Sequence, residues 1–185
     1  MNKAVFLDRD NTIVNDPEGY LYKVEKLEFL SGAIDGLRRL QENGYLLIVV
    51  TNQSGIGRGK YTEQNYFRFR KIMHERLKKE GIEITAEYFC PHHPEAKIER
   101  YRKQCKCRKP ETKMFDDAKK EYDIDFSKSW VVGDKSSDVE VGSKIGARRI
   151  GVLSREDPNG TGLRKYAEFV ARNLEEAADY ILENG

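Results

Sequence analysis

Short apolar runs rich in β-branched residues alternate along the chain with longer segments of helical periodicity. Five such runs are predicted to be strands, over residues 4–7, 46–50, 86–89, 130–132 and 149–152. Short continuous apolar runs are typical of strands that are buried on both faces of a parallel sheet. The alternation therefore predicts an α/β fold, a Rossmann-like three-layer sandwich with a mostly parallel sheet.

The segments between these strands carry the signals of helices. Apolar residues recur at helical spacing and end at turn residues, which predicts helices over residues 34–40, 63–80, 113–121, 138–145 and 174–182. Thr62 is predicted as the N-cap of the second of these helices, with Glu63 in its first turn. The glycine-rich segment 55–60 lacks the third glycine of a dinucleotide loop and the Ser or Thr of a Walker loop, so it is predicted to be a flexible turn.

Composition and charge limit the class of protein. The 185 residues contain 33 Lys and Arg against 31 Asp and Glu, with 38% hydrophobic residues. This describes one soluble domain over residues 1–185, and the near-balanced charge favours neither nucleic acid nor an acidic membrane as a partner. The first apolar run is short and meets Asp8 at once, and no run is long enough to span a membrane. We therefore expect a cytoplasmic protein, and, as a separate expectation, one that acts as a monomer.

Three predicted strands end in polar residues suited to chemistry. The first leads to Asp8 and Asp10, the second to the segment 51–54, and the fourth to Asp134 and Asp138. In open parallel sheets, ligands bind beyond the carboxyl ends of the strands, near the point where the strand order reverses. These residues, distant in sequence, are therefore expected to converge.

The convergence suits phosphoryl transfer. Asp8 and Asp10 lie two residues apart and face the same side of an extended segment. An ionised Asp8 can attack phosphorus, and a protonated Asp10 can donate to the leaving oxygen and later activate water. A divalent cation held by Asp8 and Asp134 would offset the repulsion between carboxylates and phosphate. A D-x-D pattern alone is more often a charged turn, and its position at a strand end is what favours the chemistry.

These motifs resemble those of the haloacid-dehalogenase-like hydrolases, in the right order and over most of the chain. The resemblance covers residues 8–12, Thr51, Lys109, and Gly133-Asp134 with Asp138. It implies that Asp8 is the nucleophile, that Asp10 is the general acid and base, and that Thr51 and Lys109 stabilise the phosphoryl group. It further implies Mg²⁺ bound by Asp8, the backbone carbonyl of Asp10, and Asp134, with Asp138 outside them or bound through water.

Asn11 departs from the family pattern, which usually has glycine at this position. Asn tolerates left-handed backbone dihedrals better than other non-glycine residues, so the turn is expected to form.

The long polar loop at about 90–107 contains two close pairs of metal-binding residues. Cys90 and His92 form one pair and Cys105 and Cys107 the other, which is the inventory of a closed tetrahedral Zn²⁺ site. His93 is an alternative ligand to His92, and spacing alone does not choose between them. A zinc ion with four protein ligands would be structural and would orient the adjacent Arg108 and Lys109.

The loop at about 90–107 with its four metal-binding residues is a zinc knuckle with a long insert, and it resembles the knuckle of a subgroup of this family that acts on small phosphorylated sugars. The resemblance, together with the polar turn after the first strand, gives a set of substrate-binding candidates: Asp16, Gly19, Tyr20, Thr51, Asn52, Gln53, Ser54, Arg108, Lys109 and Lys135. Arg108 is suited to a second, non-reacting phosphate, because a guanidinium can bind phosphate with two hydrogen bonds. The connections are too short for a separate cap domain, so loops are expected to shape an open pocket.

Three other functions are compatible with parts of the same pattern. Histidinol-phosphate phosphatases carry a similar knuckle with a generally shorter insert. A zinc-knuckle binding module on an inactive hydrolase scaffold would bind without turnover. A nucleic-acid end-processing phosphatase would need a basic groove, against which the charge balance argues.

Overall fold

The computed structural model describes all 185 residues and contains one six-stranded sheet. The strands are β1 (Ala4–Leu7), β2 (Leu46–Asn52), β3 (Ala86–Cys90), β4 (Trp130–Gly133), β5 (Arg148–Val152) and β6 (Phe169–Ala171). Their order is β3-β2-β1-β4-β5-β6, and every neighbouring pair is parallel. The strand order reverses between β1 and β4, which is where open sheets of this kind bind ligands.

Six α-helices accompany the sheet. They are α1 (Ala33–Glu42), α2 (Ser54–Gly57), α3 (Glu63–Lys79), α4 (Lys113–Tyr122), α5 (Ser136–Ile145) and α6 (Leu174–Asn184). One face of the sheet packs against α1, α3 and α6 in a core of 25 buried residues. The other face packs against α4 and α5 in a core of 13 buried residues. The predicted three-layer α/β sandwich without a separate cap is therefore confirmed.

The start and end of α3 follow from the residues that flank it. The Thr62 hydroxyl accepts a hydrogen bond from the backbone N–H of Asn65 at 3.2 Å, and Gly81 follows the helix with φ 76°. A capping hydroxyl satisfies a free N–H of the first turn, and a left-handed glycine stops the helix without steric cost. Tyr66 and Phe69 of α3 are both fully buried.

Two elements differ from the prediction. The short strand β6 pairs with β5 at the edge of the sheet, although three residues are too few to give a periodic signal. The segment predicted as a flexible turn begins with the helical turn α2, in which Gly57 lies against the Pro91 carbonyl. A side chain at Gly57 would approach that oxygen to 2.6 Å, so this glycine serves close packing.

None of the helices combines the length and the apolar character that crossing a bilayer would require.

Candidate active site

The site forms where the carboxyl ends of β1 and β4 meet at the reversal of strand order. Asp8 follows β1 directly, and its backbone N–H donates to the Val132 carbonyl of β4 at 2.9 Å. Asp134 follows β4. The oxygens of Asp8, Asp134 and Asp138 all lie within 4.8 Å of one another. The convergence expected from the sequence is therefore present in the fold.

Lys109 neutralises part of this acidic group. Its ammonium nitrogen lies 2.7 Å from Asp8 Oδ1 and 2.8 Å from Asp138 Oδ1, and it donates to the Val50 carbonyl at 2.5 Å. Burial acts to lower the pKa of Lys109, but the carboxylates of Asp138 and Asp8 outweigh it and raise the pKa above its ordinary value. Lys109 is therefore a fixed positive charge between the carboxylates of Asp8 and Asp138.

Asp134 differs from its acidic neighbours because both of its carboxylate oxygens are buried without a hydrogen-bond partner. Burial, and then the charges of Asp138 and Asp8, raise the pKa of Asp134 to about 8. Asp138, by contrast, uses Oδ1 for Lys109 and Oδ2 for the backbone N–H of Lys135 at 3.0 Å. An unpaired buried carboxylate is costly unless a cation binds it, so Asp8 and Asp134 fit a hard divalent cation such as Mg²⁺.

Asp10 is held by the side chain that precedes it. Arg9 is fully buried; its Nε donates to Asp10 Oδ1 at 2.9 Å and its Nη2 donates to Oδ2 at 3.0 Å. Burial raises the pKa of Asp10, Arg9 opposes this, and the charge of Asp8 adds to it, so that the pKa is raised to about 6. A carboxyl group with this pKa exchanges its proton near neutral pH, as a general acid and base must.

Thr51, Asn52 and Gln53 follow one another at the end of β2 but have different partners. The Asn52 amide is paired with the backbone of Lys109, donating to its carbonyl at 3.2 Å and accepting from its N–H at 3.0 Å. The Gln53 amide donates to Asp10 Oδ2 at 2.8 Å and to Thr51 Oγ1 at 2.9 Å. The polar atoms of both amides are thus engaged within the protein. Their direct contact with a substrate stays a prediction.

Asn11 has the left-handed conformation expected for it, with φ 58°. Its side-chain oxygen also accepts the backbone N–H of Asp16 at 3.1 Å, which ties the first turn to the loop that follows. That loop reaches Gly19 and Tyr20, both also with positive φ.

A pocket of about 290 Å³ opens at this end of the sheet. Its lining residues are Asp10, Asn11, Asp16, Gly19, Tyr20, Asn52, Gln53, Ser54, Gly55, Tyr61, Lys135 and Glu156. Lys135 lies 3.4 Å from Glu156 across the wall of the pocket. Arg108 does not line this pocket and borders a neighbouring cleft on the knuckle side, so its contact with a second phosphate stays a prediction.

The four predicted zinc ligands come together in the loop that follows β3. Cys107 Sγ lies 2.9 Å from Cys90 Sγ and 3.2 Å from Cys105 Sγ, and His92 Nδ1 lies 3.3 Å from Cys107 Sγ. The edge of a tetrahedron with Zn–S bonds of about 2.3 Å is about 3.8 Å, so the ligand atoms would move apart by less than about 1 Å to hold the ion. The three cysteines are free of disulfides. The set therefore fits Zn²⁺ in kind, number and spacing.

The geometry also chooses between the two histidines. His93 lies outside the cluster, with its Nε2 2.9 Å from the Arg58 guanidinium. Its backbone N–H donates to the Tyr101 carbonyl at 3.2 Å, which closes the loop across its width. The Tyr101 hydroxyl donates to Glu63 at 2.8 Å and so fastens the loop to the start of α3.

Three residues of the site had no role in the sequence-based prediction. Arg9 and Tyr61 are buried against Asp10 and Gln53, and Glu156 reaches the pocket from the loop after β5. The position of Arg9 between the two aspartates of the first motif is a sequence signal that could have identified it. Nothing in the sequence indicates the other two, because their partners are distant in the chain.

The fold and the site are those of a haloacid-dehalogenase-like hydrolase, and a family model described as HAD-hydrolase-like matches residues 106–177. The D-glycero-β-D-manno-heptose-1,7-bisphosphate 7-phosphatase of Haemophilus influenzae is 40% identical over 185 residues, which is 100% of this chain and 93% of that protein. The protein of the same name from Photorhabdus laumondii is 42% identical over 174 residues, covering 92% of this chain and 90% of the relative.

Solved structures agree with these relatives. The D,D-heptose 1,7-bisphosphate phosphatase of B. bronchiseptica, complexed with magnesium and phosphate, superposes with a TM-score of 0.85 at 26% identity, covering 99% of each chain. The corresponding enzyme of Burkholderia thailandensis gives 0.70 at 25% identity, covering 98% of this chain and 99% of that one. The chain therefore belongs to the D-glycero-β-D-manno-heptose-1,7-bisphosphate 7-phosphatase family.

Proposed function

We propose that this protein is a Mg²⁺-dependent phosphatase that removes the 7-phosphate of D-glycero-β-D-manno-heptose 1,7-bisphosphate, in the synthesis of nucleotide-activated heptose, through a covalent aspartyl-phosphate on Asp8. The observation that carries the chemistry is the meeting of Asp8, Lys109 and the unpaired Asp134 at the reversal of strand order. The substrate is proposed from the names of relatives that match over nearly their whole length.

The chain's own residues account for both steps of the reaction. Asp8 attacks the 7-phosphorus while the bond from phosphorus to the sugar oxygen breaks, and Asp10 gives its proton to that oxygen. Asp10 then takes a proton from water, which attacks the same phosphorus and releases inorganic phosphate and free Asp8. Lys109 and the Thr51 hydroxyl hold the equatorial oxygens of the phosphoryl group, where negative charge must be stabilised.

Two metal ions complete the proposal. Mg²⁺, held by Asp8, Asp134 and the Asp10 carbonyl, would supply charge neutralisation to the phosphoryl group. Zn²⁺, held by Cys90, His92, Cys105 and Cys107, would have no open position and would fix the loop that carries Arg108 and Lys109.

The reaction is tested by replacing the nucleophile. Asp8→Asn removes the anionic oxygen with almost no change in shape, so we expect turnover to fall by about 10³-fold or more and labelling of the protein by substrate phosphate to disappear. The matched control is Asp123→Asn, at an exposed aspartate whose left-handed conformation Asn also adopts. Substantial residual turnover in Asp8→Asn would reject Asp8 as the nucleophile.

The substrate is tested by a side-by-side panel of both anomers of the heptose bisphosphate, histidinol phosphate and fructose 1,6-bisphosphate. We expect the β anomer of the heptose to have the highest kcat/KM, and ³¹P NMR to show loss of the 7-phosphate alone. A preference for histidinol phosphate would replace the proposed substrate without affecting the chemistry. Tight binding of every compound without phosphate release would instead indicate the inactive scaffold.

A further inference from the structure

The side chain of Gln53 lies at the centre of a buried hydrogen-bonded group with Asp10, Thr51 and Tyr61, and the proposed reaction gives no role to Gln53 or Tyr61. Gln53 is 2% exposed, and its nitrogen donates to Asp10 and Thr51 at 2.8 and 2.9 Å. Its oxygen accepts the hydroxyl of Tyr61, which is 6% exposed. All the polar atoms of one amide are thereby bound to the general acid, the phosphate-binding threonine and a buried tyrosine.

Tyr61 fixes the direction of this amide. Burial raises the pKa of Tyr61, so its hydroxyl keeps its proton and remains a donor. The amide oxygen therefore faces Tyr61 and the two N–H groups face Asp10 and Thr51, because an amide turned the other way would bring its oxygen against the Asp10 carboxylate. Without the Tyr61 hydroxyl, the oxygen of this buried amide would have no hydrogen-bond donor, which favours rotation of the Gln53 side chain.

The consequence for Asp10 and Thr51 is geometric. Arg9 binds both oxygens of Asp10 from one side and Gln53 binds Oδ2 from another, so the plane of the carboxyl group is determined. Gln53 also donates to the Thr51 oxygen, which leaves the Thr51 O–H free to donate to another group.

We propose that Gln53 and Tyr61 are positioning residues for the reaction, acting through the proton-transferring carboxyl group of Asp10 and not by contact with the substrate. The inference rests on the proposed function and deepens it. It gives Gln53 a role inside the protein, as an alternative to the direct contact with the substrate that the sequence predicts.

Two substrates that differ in their leaving group distinguish a positioning role from a merely structural one. An alkyl phosphate such as the sugar phosphate needs a proton from Asp10 as its bond to phosphorus breaks, whereas p-nitrophenolate leaves without one. We expect Tyr61→Phe to lower kcat about 10-fold on the sugar phosphate with KM nearly unchanged. The initial burst of p-nitrophenolate from p-nitrophenyl phosphate should slow about 3-fold or less.

The neighbouring tyrosine, Tyr22, provides a matched control for Tyr61→Phe. Tyr22 stacks on Tyr61 with ring centroids 5.0 Å apart and makes no hydrogen bond through its hydroxyl, so Tyr22→Phe is the same chemical change without the contact to Gln53. It should leave both activities within about 2-fold of the wild type. Circular dichroism and thermal unfolding of both variants check that each is folded.

A double-mutant cycle tests whether Tyr61 acts through Gln53. Gln53→Met keeps the length of the side chain and removes its polar atoms, and we expect it to slow the sugar-phosphate reaction at least as much as Tyr61→Phe. The variant with both changes should be no slower than Gln53→Met alone, because the two residues form one pathway.

The possible results are distinguishable. If the wild type releases phosphate from neither the sugar phosphate nor p-nitrophenyl phosphate, the proposed function is overturned and this inference with it. If the wild type is active, any of four results overturns only the positioning role. These are that Tyr61→Phe has no effect, that it slows the reaction equally on both compounds, that it raises KM alone, or that the losses multiply in the double variant.

Discussion

Asp134 is the residue whose environment is least favourable in the absence of a cation. Its two oxygens are buried and unpaired, and its pKa is raised to about 8 by burial and by the charges of Asp138 and Asp8. Lys109 is already shared between Asp8 and Asp138 and makes no ion pair with Asp134. One lysine among three carboxylates leaves a deficit of positive charge at the place where a substrate must bring more negative charge.

The raised pKa of Asp134 predicts how the metal-free protein responds to pH. Between pH 5 and 8 the folded Asp134 keeps a proton that the unfolded chain has released, so the free energy of unfolding should fall as pH rises. Mg²⁺ binds the ionised form, so its stabilising effect should grow over the same interval. Urea unfolding at pH 5 and pH 8, with and without Mg²⁺, measures both effects.

Asp134→Asn should reduce this dependence. The neutral amide needs no proton, so we expect the metal-free variant at pH 8 to be more stable than the wild type by about 1–3 kcal/mol, with no stabilisation by Mg²⁺. Asp123→Asn, at an exposed site, should behave as the wild type. A variant at Asp134 that is still stabilised by Mg²⁺ as strongly as the wild type would show that the cation binds elsewhere.

At the scale of elements, the knuckle loop and the end of β2 together determine the position of Lys109. The loop ends at Cys107, two residues before Lys109, and Asn52 at the end of β2 holds the Lys109 backbone by two hydrogen bonds. The other end of the loop is fastened by Tyr101 to the start of α3. A long loop whose regular structure is one 3₁₀ turn, at Glu99–Tyr101, has a high conformational entropy when unfolded, which a cluster of four ligands would restrict.

Loss of the zinc cluster should therefore weaken phosphate binding before it affects the chemistry. We expect Cys105→Ser, or removal of metal by a chelator, to raise KM about 10-fold with a smaller fall in kcat, and to increase amide hydrogen exchange over residues 91–109. Gln104→Ser is an exposed control in the same loop. Zinc-free protein with unchanged KM would contradict the proposed role of the cluster.

At the scale of the whole molecule, the helical layer on one face of the sheet depends on how closely α1 approaches α6. Gly36 of α1 faces the backbone of α6, where an added Cβ would lie 2.6 Å from the Leu174 carbonyl oxygen. Both helices contribute to the larger core. Their contact holds the last helix of the chain against the layer that contains α3, and so connects the two ends of the fold.

Gly36→Ala should lower the stability of the whole protein. Alanine favours a helix by about 1 kcal/mol over glycine, but contact with a backbone oxygen cannot be relieved by a side-chain movement. We expect a net loss of about 1–3 kcal/mol in the free energy of unfolding by urea, with activity per folded molecule unchanged.

Gly142→Ala is the matched comparison for this prediction. Gly142 lies in α5, and its nearest neighbour is the side chain of Arg149, with the Ala147 carbonyl at 3.3 Å. The Arg149 Cγ would lie 2.5 Å from the added Cβ, so the side chain must change rotamer and give up its exposed contacts with Ser143 and Glu168. This costs less than displacing a helix backbone, so we expect a change smaller than that at Gly36. Equal effects of the two substitutions would show that helix packing against α6 is not what Gly36 serves.

The sequence by itself determined the parts of this protein that depend on local pattern. Buried parallel strands are continuous apolar runs, and five of the six strands were predicted to within two residues. The polar residues after β1, β2 and β4, and the spacing of Cys90, His92, Cys105 and Cys107, are also local, and the structure brings each group together. The turn at Asn11 was predicted for the same reason.

Only the tertiary structure decided which partner each of these side chains has. It selected His92 over His93, engaged Asn52 with the Lys109 backbone, and joined Tyr61 to Asp10 through Gln53. It also showed Asp134 to be the carboxylate without a partner. Hydrogen bonds act over about 3 Å between residues that can be any distance apart in the chain, so a sequence pattern can name the donors and acceptors while folding decides how they pair.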